Sequence, residues 1–173
     1  MLDYEFLFII SIPIYIVFLI VLIWKKISLN KIILKSLFYF YVISIIAVTI
    51  FPIPIQGLKE IGIYGGNNNF IPFESIFDIM FNDNLSIAIK MKQIVGNIIL
   101  FIPMGFLIPL ILKGKNSFKN ALLIGILSSL SIELLQCLIS LLLGFSYKVT
   151  DIDDILLNVL GFVFGYILSK YIK

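Results

Sequence analysis

Residues 94–112 read IVGNIILFIPMGFLIPLIL. Nineteen positions pass without a charged side chain. About 20 apolar residues are what a helix needs to cross a bilayer's hydrocarbon core. The run is therefore read as a membrane span. Composition agrees: of 173 residues, 61% are hydrophobic and 13% charged, where a soluble domain carries about a quarter charged. Four further apolar runs cover residues 6–24, 33–55, 120–143 and 152–169. The run at 6–24 follows Asp3 and Glu5, is too long for a signal-peptide core and precedes no small-residue cleavage pattern. It is read as a retained span. The expectation is an all-α, multi-pass membrane bundle of five transmembrane helices, one domain over residues 1–173.

The lysines set the expected orientation, because cytoplasmic loops carry an excess of Lys and Arg. Lys25, Lys26, Lys31 and Lys35 follow the first span, Lys113, Lys115 and Lys119 the third, and Lys170 and Lys173 the last. These fall on one side if spans alternate, and no acid joins them there. The N-terminus is thus expected outside and the C-terminus in the cytoplasm. The long connection, residues 56–93, is then exterior. Its first part, GLKEIGIYGGNNN, reads as irregular. Its second, FIPFESIFDIMF, puts Ile76, Phe77, Met80 and Phe81 on one helical face. That predicts a short amphipathic helix, either lying at the interface or packed on the bundle.

Polar residues inside spans are costly and usually face other helices or water. The fourth span carries Gly125, Ser129, Glu133, Gln136 and Ser140 at spacings of 4, 4, 3 and 4. The fifth carries Asp151, Asp154, Asn158, Gly161 and Gly165 at 3, 4, 3 and 4. Each set is one helical face, and Gly161 with Gly165 forms a GxxxG pair suited to close helix approach. The simplest packing turns the two stripes toward each other or into a shared cavity. Asn97, Glu133, Gln136, Asp154 and Asn158 then converge in the outer half of the bundle, with Lys148, Asp151 and Asn69 around the mouth. Gly125, Gly161 and Gly165 are expected packing positions. Asp151, Asp153 and Asp154 also suit a helix start, with Thr150 or Asp151 as N-cap. Asp153, off the stripe, is read as a plain helix-end acid. Pro103, Gly105 and Pro109 in the third span imply a kink.

The chain has no histidine, its 13 basic residues are all lysines, and Cys137 is its one cysteine. Histidine bases, histidine metal ligands, arginine forks and internal disulfides are excluded. No catalytic residue, metal or cofactor is assigned. Nothing points to nucleic acid, and oligomeric state is open.

Four stretches, NFIPF (69–73), NIILFIPMG (97–105), SIELLQ (131–136) and KVTDIDDILLNVLGFVFGY (148–166), together resemble the VanZ-like family, named for a teicoplanin-resistance protein. The family pattern usually has arginine where Lys148 stands. The resemblance implies a small multi-pass protein of the bacterial plasma membrane, acting in the cell envelope and linked to glycopeptide or lipoglycopeptide tolerance; abundant Ile, Asn, Lys and Phe with no Arg or His point to an AT-rich, Gram-positive source. It supplies no reaction. The expected function is binding, without catalysis, of a membrane lipid, a lipid-linked wall precursor or a lipoglycopeptide in an outward-facing polar pocket. The alternatives are a lipid transporter or flippase, or a carboxylate-based, metal-dependent intramembrane hydrolase.

Overall fold

A computed structural model describes residues 2–54, 68–112 and 117–171. The expected irregular stretch GLKEIGIYGGNNN lies outside the described residues apart from its last asparagine pair. Six helices occur among the described residues: α1 Tyr4–Trp24, α2 Leu29–Thr49, α3 Glu74–Phe81, α4 Ile87–Ile111, α5 Phe118–Leu143 and α6 Ile152–Tyr171. All but α3 are long and apolar enough to cross a membrane. In lipid, a helix satisfies its own backbone groups, which is why each long apolar run takes this form.

Local chemistry sets the ends. α2 stops at Thr49, ahead of Phe51–Pro52 and Ile53–Pro54, because a residue before proline is pushed out of the helical region. The helix is thus shorter at this end than the apolar run through residue 55. Just beyond it, Ile53 exchanges backbone hydrogen bonds of 2.9 Å with Leu2, ahead of α1. α4 begins at Ile87, seven residues before the apolar run, where the Ser86 hydroxyl accepts from Ile89 N. α5 ends on Gly144, whose φ of 73° is the left-handed conformation glycine adopts freely.

α4 and α6 form the tightest pair. A Cβ added at Gly161 would overlap the Ile98 carbonyl, one at Gly165 the Ile102 carbonyl, and one at Gly105 the Phe162 carbonyl. Backbone thus lies on backbone, as small residues permit. The GxxxG pair therefore packs on α4, rather than facing the α5 stripe directly, which was one of the two expected arrangements. α6 meets α5 through the neighbouring face. There the fully buried Phe162 ring fills the notch left by Gly125. Phe101, Met104 and Ile108 of α4, Ile132 of α5 and Ile45 of α2 close the core around it. α2 joins α4 through the Tyr41 hydroxyl, which donates to Leu100 O at 2.7 Å. α1 packs on α2, where Tyr15 bonds Ser36 and Tyr39 bonds the Ser11 carbonyl.

Candidate functional site

The site grows from the first turn of α6. Asp151 is its N-cap: Oδ1 accepts from Asp153 N at 2.9 Å, satisfying one orphan donor of the helix. The same oxygen accepts from Asn69 Nδ2 at 2.9 Å. Asn69 also pairs its backbone with this turn, donating to Thr150 O and accepting from Ile152 N. The rest of its amide closes a local turn: Oδ1 accepts from Ile71 N, and Nδ2 reaches Ser75 Oγ. The segment 68–75 is thereby stitched to the start of α6.

Asp153 corrects the reading of a plain helix-end acid. It is 1% exposed, the most buried carboxylate in the set. Oδ1 accepts from Phe73 N and Oδ2 from Ile76 N at 3.1 Å. These are N-terminal donors of α3, so Asp153 caps a helix other than its own. A carboxylate suits that end because orphan N–H groups and the helix dipole both favour negative charge. Phe73 sits there at φ 70°, a strained conformation for a bulky residue. Phe77, Met80 and Phe81 of α3 stay outside this joint, all more than half exposed, while Ile76 and Ile79 are half-buried.

Glu133 lies below the turn, 3% exposed, and Oε2 accepts from Asp151 N at 3.0 Å. Three acids therefore hold backbone N–H groups around one helix junction. Asp154 differs. Its Oδ1 accepts from the side-chain amide of Asn97 on α4, and it faces a cleft of about 490 Å³. Asn97, Asp151, Asp154, Lys92, Gln93 and Ile79 line that cleft, with Ile89 and Val149.

Other expected pocket residues lie elsewhere. Gln136 Nε2 donates to Thr49 O at 2.9 Å, and the Lys148 ammonium donates to the Thr49 and Val48 carbonyls. The Tyr147 hydroxyl reaches Ile50 O at 3.3 Å. Together they satisfy the open carbonyls at the C-terminus of α2, where a cation also complements the dipole. Burial pushes the Lys148 ammonium down from the usual lysine range, partly offset by Glu133. Burial alone lifts the Tyr147 phenol to about 12. Asn158 is 3% exposed and donates to Ser129 Oγ at 2.9 Å. It shares a face with Phe162, and so turns to α5 one step round from Asp154.

The eight expected residues thus sort into three groups. Asn97, Asp151 and Asp154 line the cleft. Asn69 and Glu133 support its wall. Gln136, Lys148 and Asn158 join helices. Lys92 and Gln93, which also line the cleft, fall outside the expected site because they precede the apolar run at 94–112. The signal was present: Ile89, Gln93 and Asn97 are spaced by four, and Lys92 adjoins them. Among the described residues, no three Asp, Glu or Cys side chains gather as a metal would require.

Comparison with known families matches residues 38–173 to the VanZ/LLP1 family. The chain belongs to the VanZ/LLP1 family. No curated protein and no solved structure matches it. The matched region of this VanZ/LLP1 chain begins within α2 and leaves out α1, the helix that packs on α2. It contains all four stretches that carried the resemblance. In the fold they meet: Asn69 on Asp151, Asn97 on Asp154, and Glu133 beneath the Asp151 amide. Lys148 of this VanZ/LLP1 member holds two adjacent carbonyls, a task that also suits an arginine fork.

Proposed function

We propose that the cleft between α3, α4 and α6 binds the headgroup of an envelope lipid, a lipid-linked wall precursor or a lipoglycopeptide. Such binding would contribute to teicoplanin tolerance at the outer face of a bacterial plasma membrane. The observation that carries the reading is juxtaposition. The carboxylates of Asp151 and Asp154, the amides of Gln93 and Asn97 and the Lys92 ammonium line one recess. Ile79 brings α3 to its rim, and the same short helix carries the exposed Phe77, Met80 and Phe81. Carboxylates and amides suit sugar hydroxyls and peptide N–H groups, and an ammonium suits phosphate. Phe77, Met80 and Phe81 suit an acyl chain or the interface itself. VanZ/LLP1 membership supports the envelope setting.

Binding is tested on purified protein in nanodiscs, with polyprenyl-linked disaccharide pentapeptide, teicoplanin and vancomycin as separate probes. Asp154→Asn and Lys92→Gln should each weaken the bound probe roughly tenfold, the loss of one hydrogen bond to a charged group. Equal signal from wild type and a chain with scrambled residues 68–86 would sink the proposal. In a susceptible Gram-positive host, Asp154→Asn at wild-type membrane level should lose protection against teicoplanin. The proposed orientation has its own check: reporters fused after Lys35 or Ser117 should read cytoplasmic, and after Ser146 exterior.

A further inference from the structure

At the end of the bundle away from that cleft, the α1–α2 turn and the last turn of α4 leave two adjoining recesses. One, about 210 Å³, is lined by Lys31, Leu34, Lys35, Ile27 and the Leu110–Ile111 pair. The other, about 360 Å³, is lined by Phe18, Lys35, Phe38, Tyr39, Val42 and Ile111. Lys35 and Ile111 belong to both, so a charged mouth opens directly onto an apolar groove. Lys31 and Lys35 are four residues apart on α2, hence neighbours on one helix face. Lys35 is half-buried, and neither ammonium has a hydrogen-bond or ion-pair partner among the described residues. A cation drawn against apolar walls is costly unless it is paired. No acid occurs in the flanking segments 25–35 and 112–119, so the chain supplies no counter-charge locally.

We propose that this is a binding site for one anionic glycerophospholipid. Its phosphate lies between the Lys31 and Lys35 ammonium groups, and one acyl chain runs along Phe18, Phe38 and Val42. The lysine stems lie along the apolar walls while their heads reach the headgroup layer. Net negative charge selects the lipid, because the site offers cations and no carboxylate. The site is at the opposite end from the α3–α4–α6 cleft and holds whether or not that cleft binds a wall precursor.

Delipidated protein in detergent is titrated with phosphatidylglycerol or with phosphatidylcholine of the same chains, and retained lipid is read by native mass spectrometry. Phosphatidylglycerol should be retained at least fivefold more than phosphatidylcholine. Lys31→Gln/Lys35→Gln should cut its retention about tenfold, and Lys31→Arg/Lys35→Arg should preserve it. Lys119→Gln/Lys170→Gln, which removes the same charge from the same end, should leave it unchanged. Equal retention of the two lipids would overturn the site, as would an equal loss in the charge-matched variant. Displacement of the lipid by millimolar inorganic phosphate would overturn the acyl-chain half of the assignment. Blocking the groove by Val42→Trp should lower retention of the diacyl lipid, and an unaltered value would count against that half as well.

Discussion

Gly161→Ala probes the joint on which the candidate site depends. An alanine Cβ there would lie 2.8 Å from the Ile98 carbonyl carbon and 3.0 Å from its Cα, with the oxygen closer still. Ordinary contact begins near 3.4 Å. The opposing atoms are backbone of a packed helix, so no side chain can swing away. α4 and α6 must separate by roughly 1 Å, and overpacking of this kind costs about 1–3 kcal/mol. For a chain of this size that corresponds to roughly 5 °C in the thermal midpoint. Asn97 is the residue before Ile98, and it holds Asp154 across the same interface. The separation should therefore also loosen the wall of the cleft. Gly96→Ala is the matched control. It lies on α4, the partner helix in this joint, and an added Cβ meets nothing within 4 Å. It should be neutral, or stabilising by up to about 1 kcal/mol through helix propensity. Midpoints of both variants are measured by intrinsic fluorescence in one detergent. If Gly161→Ala melts with Gly96→Ala, the backbone-on-backbone packing of α4 and α6 is wrong.

Three further changes test separate joints. Asp153→Ala removes the acceptor of two α3 amides, bonds to a charged group worth about 1.5–3 kcal/mol each; hydrogen exchange across residues 74–81 should quicken at least tenfold, and unchanged protection would show that something else holds α3. A double-mutant cycle of Ser129→Ala and Asn158→Ala should give a coupling of about 0.6 kcal/mol, typical of hydrogen bonds within membrane proteins; strict additivity would remove the pair as a link between α5 and α6. Lys148→Arg should keep the end of α2 capped, while Lys148→Met should destabilise by about 1–3 kcal/mol. Because burial lowers the Lys148 pKa below 10.5, the unfolded chain binds more protons just under that pH. Wild-type stability relative to Lys148→Met should then rise as pH climbs through that window, and a flat or falling difference would refute the assignment.

Much of the candidate site was legible because helical spacing is local. The α5 stripe is the clearest case: Gly125, Ser129, Glu133 and Gln136 are all buried, as spacings of 4, 4 and 3 imply. α6 was only half legible. Its stripe is wide enough to touch two neighbours, and spacing does not say which residue meets which helix. Asp154, Gly161 and Gly165 turn to α4, while Asn158 turns to α5. Asp153 was misread for a related reason. Its partners, Phe73 and Ile76, lie nearly 80 residues away in sequence, and no local pattern announces them.

The amino-acid sequence by itself determined the class: long uncharged apolar runs can satisfy their backbones in lipid only as helices, so their number and length specify the spans. It also marked Asp151 as a cap for α6, whereas the start of α4 at Ile87 and the end of α2 at Thr49 came from the structure. The tertiary structure alone decided what each buried acid does. Asp151, Asp153 and Asp154 sit within four positions, yet about 100° per residue aims them at Asn69, at α3 and at α4. The physical reason is that a carboxylate's role depends on the donor facing it, and here the donors come from distant segments brought together only by packing.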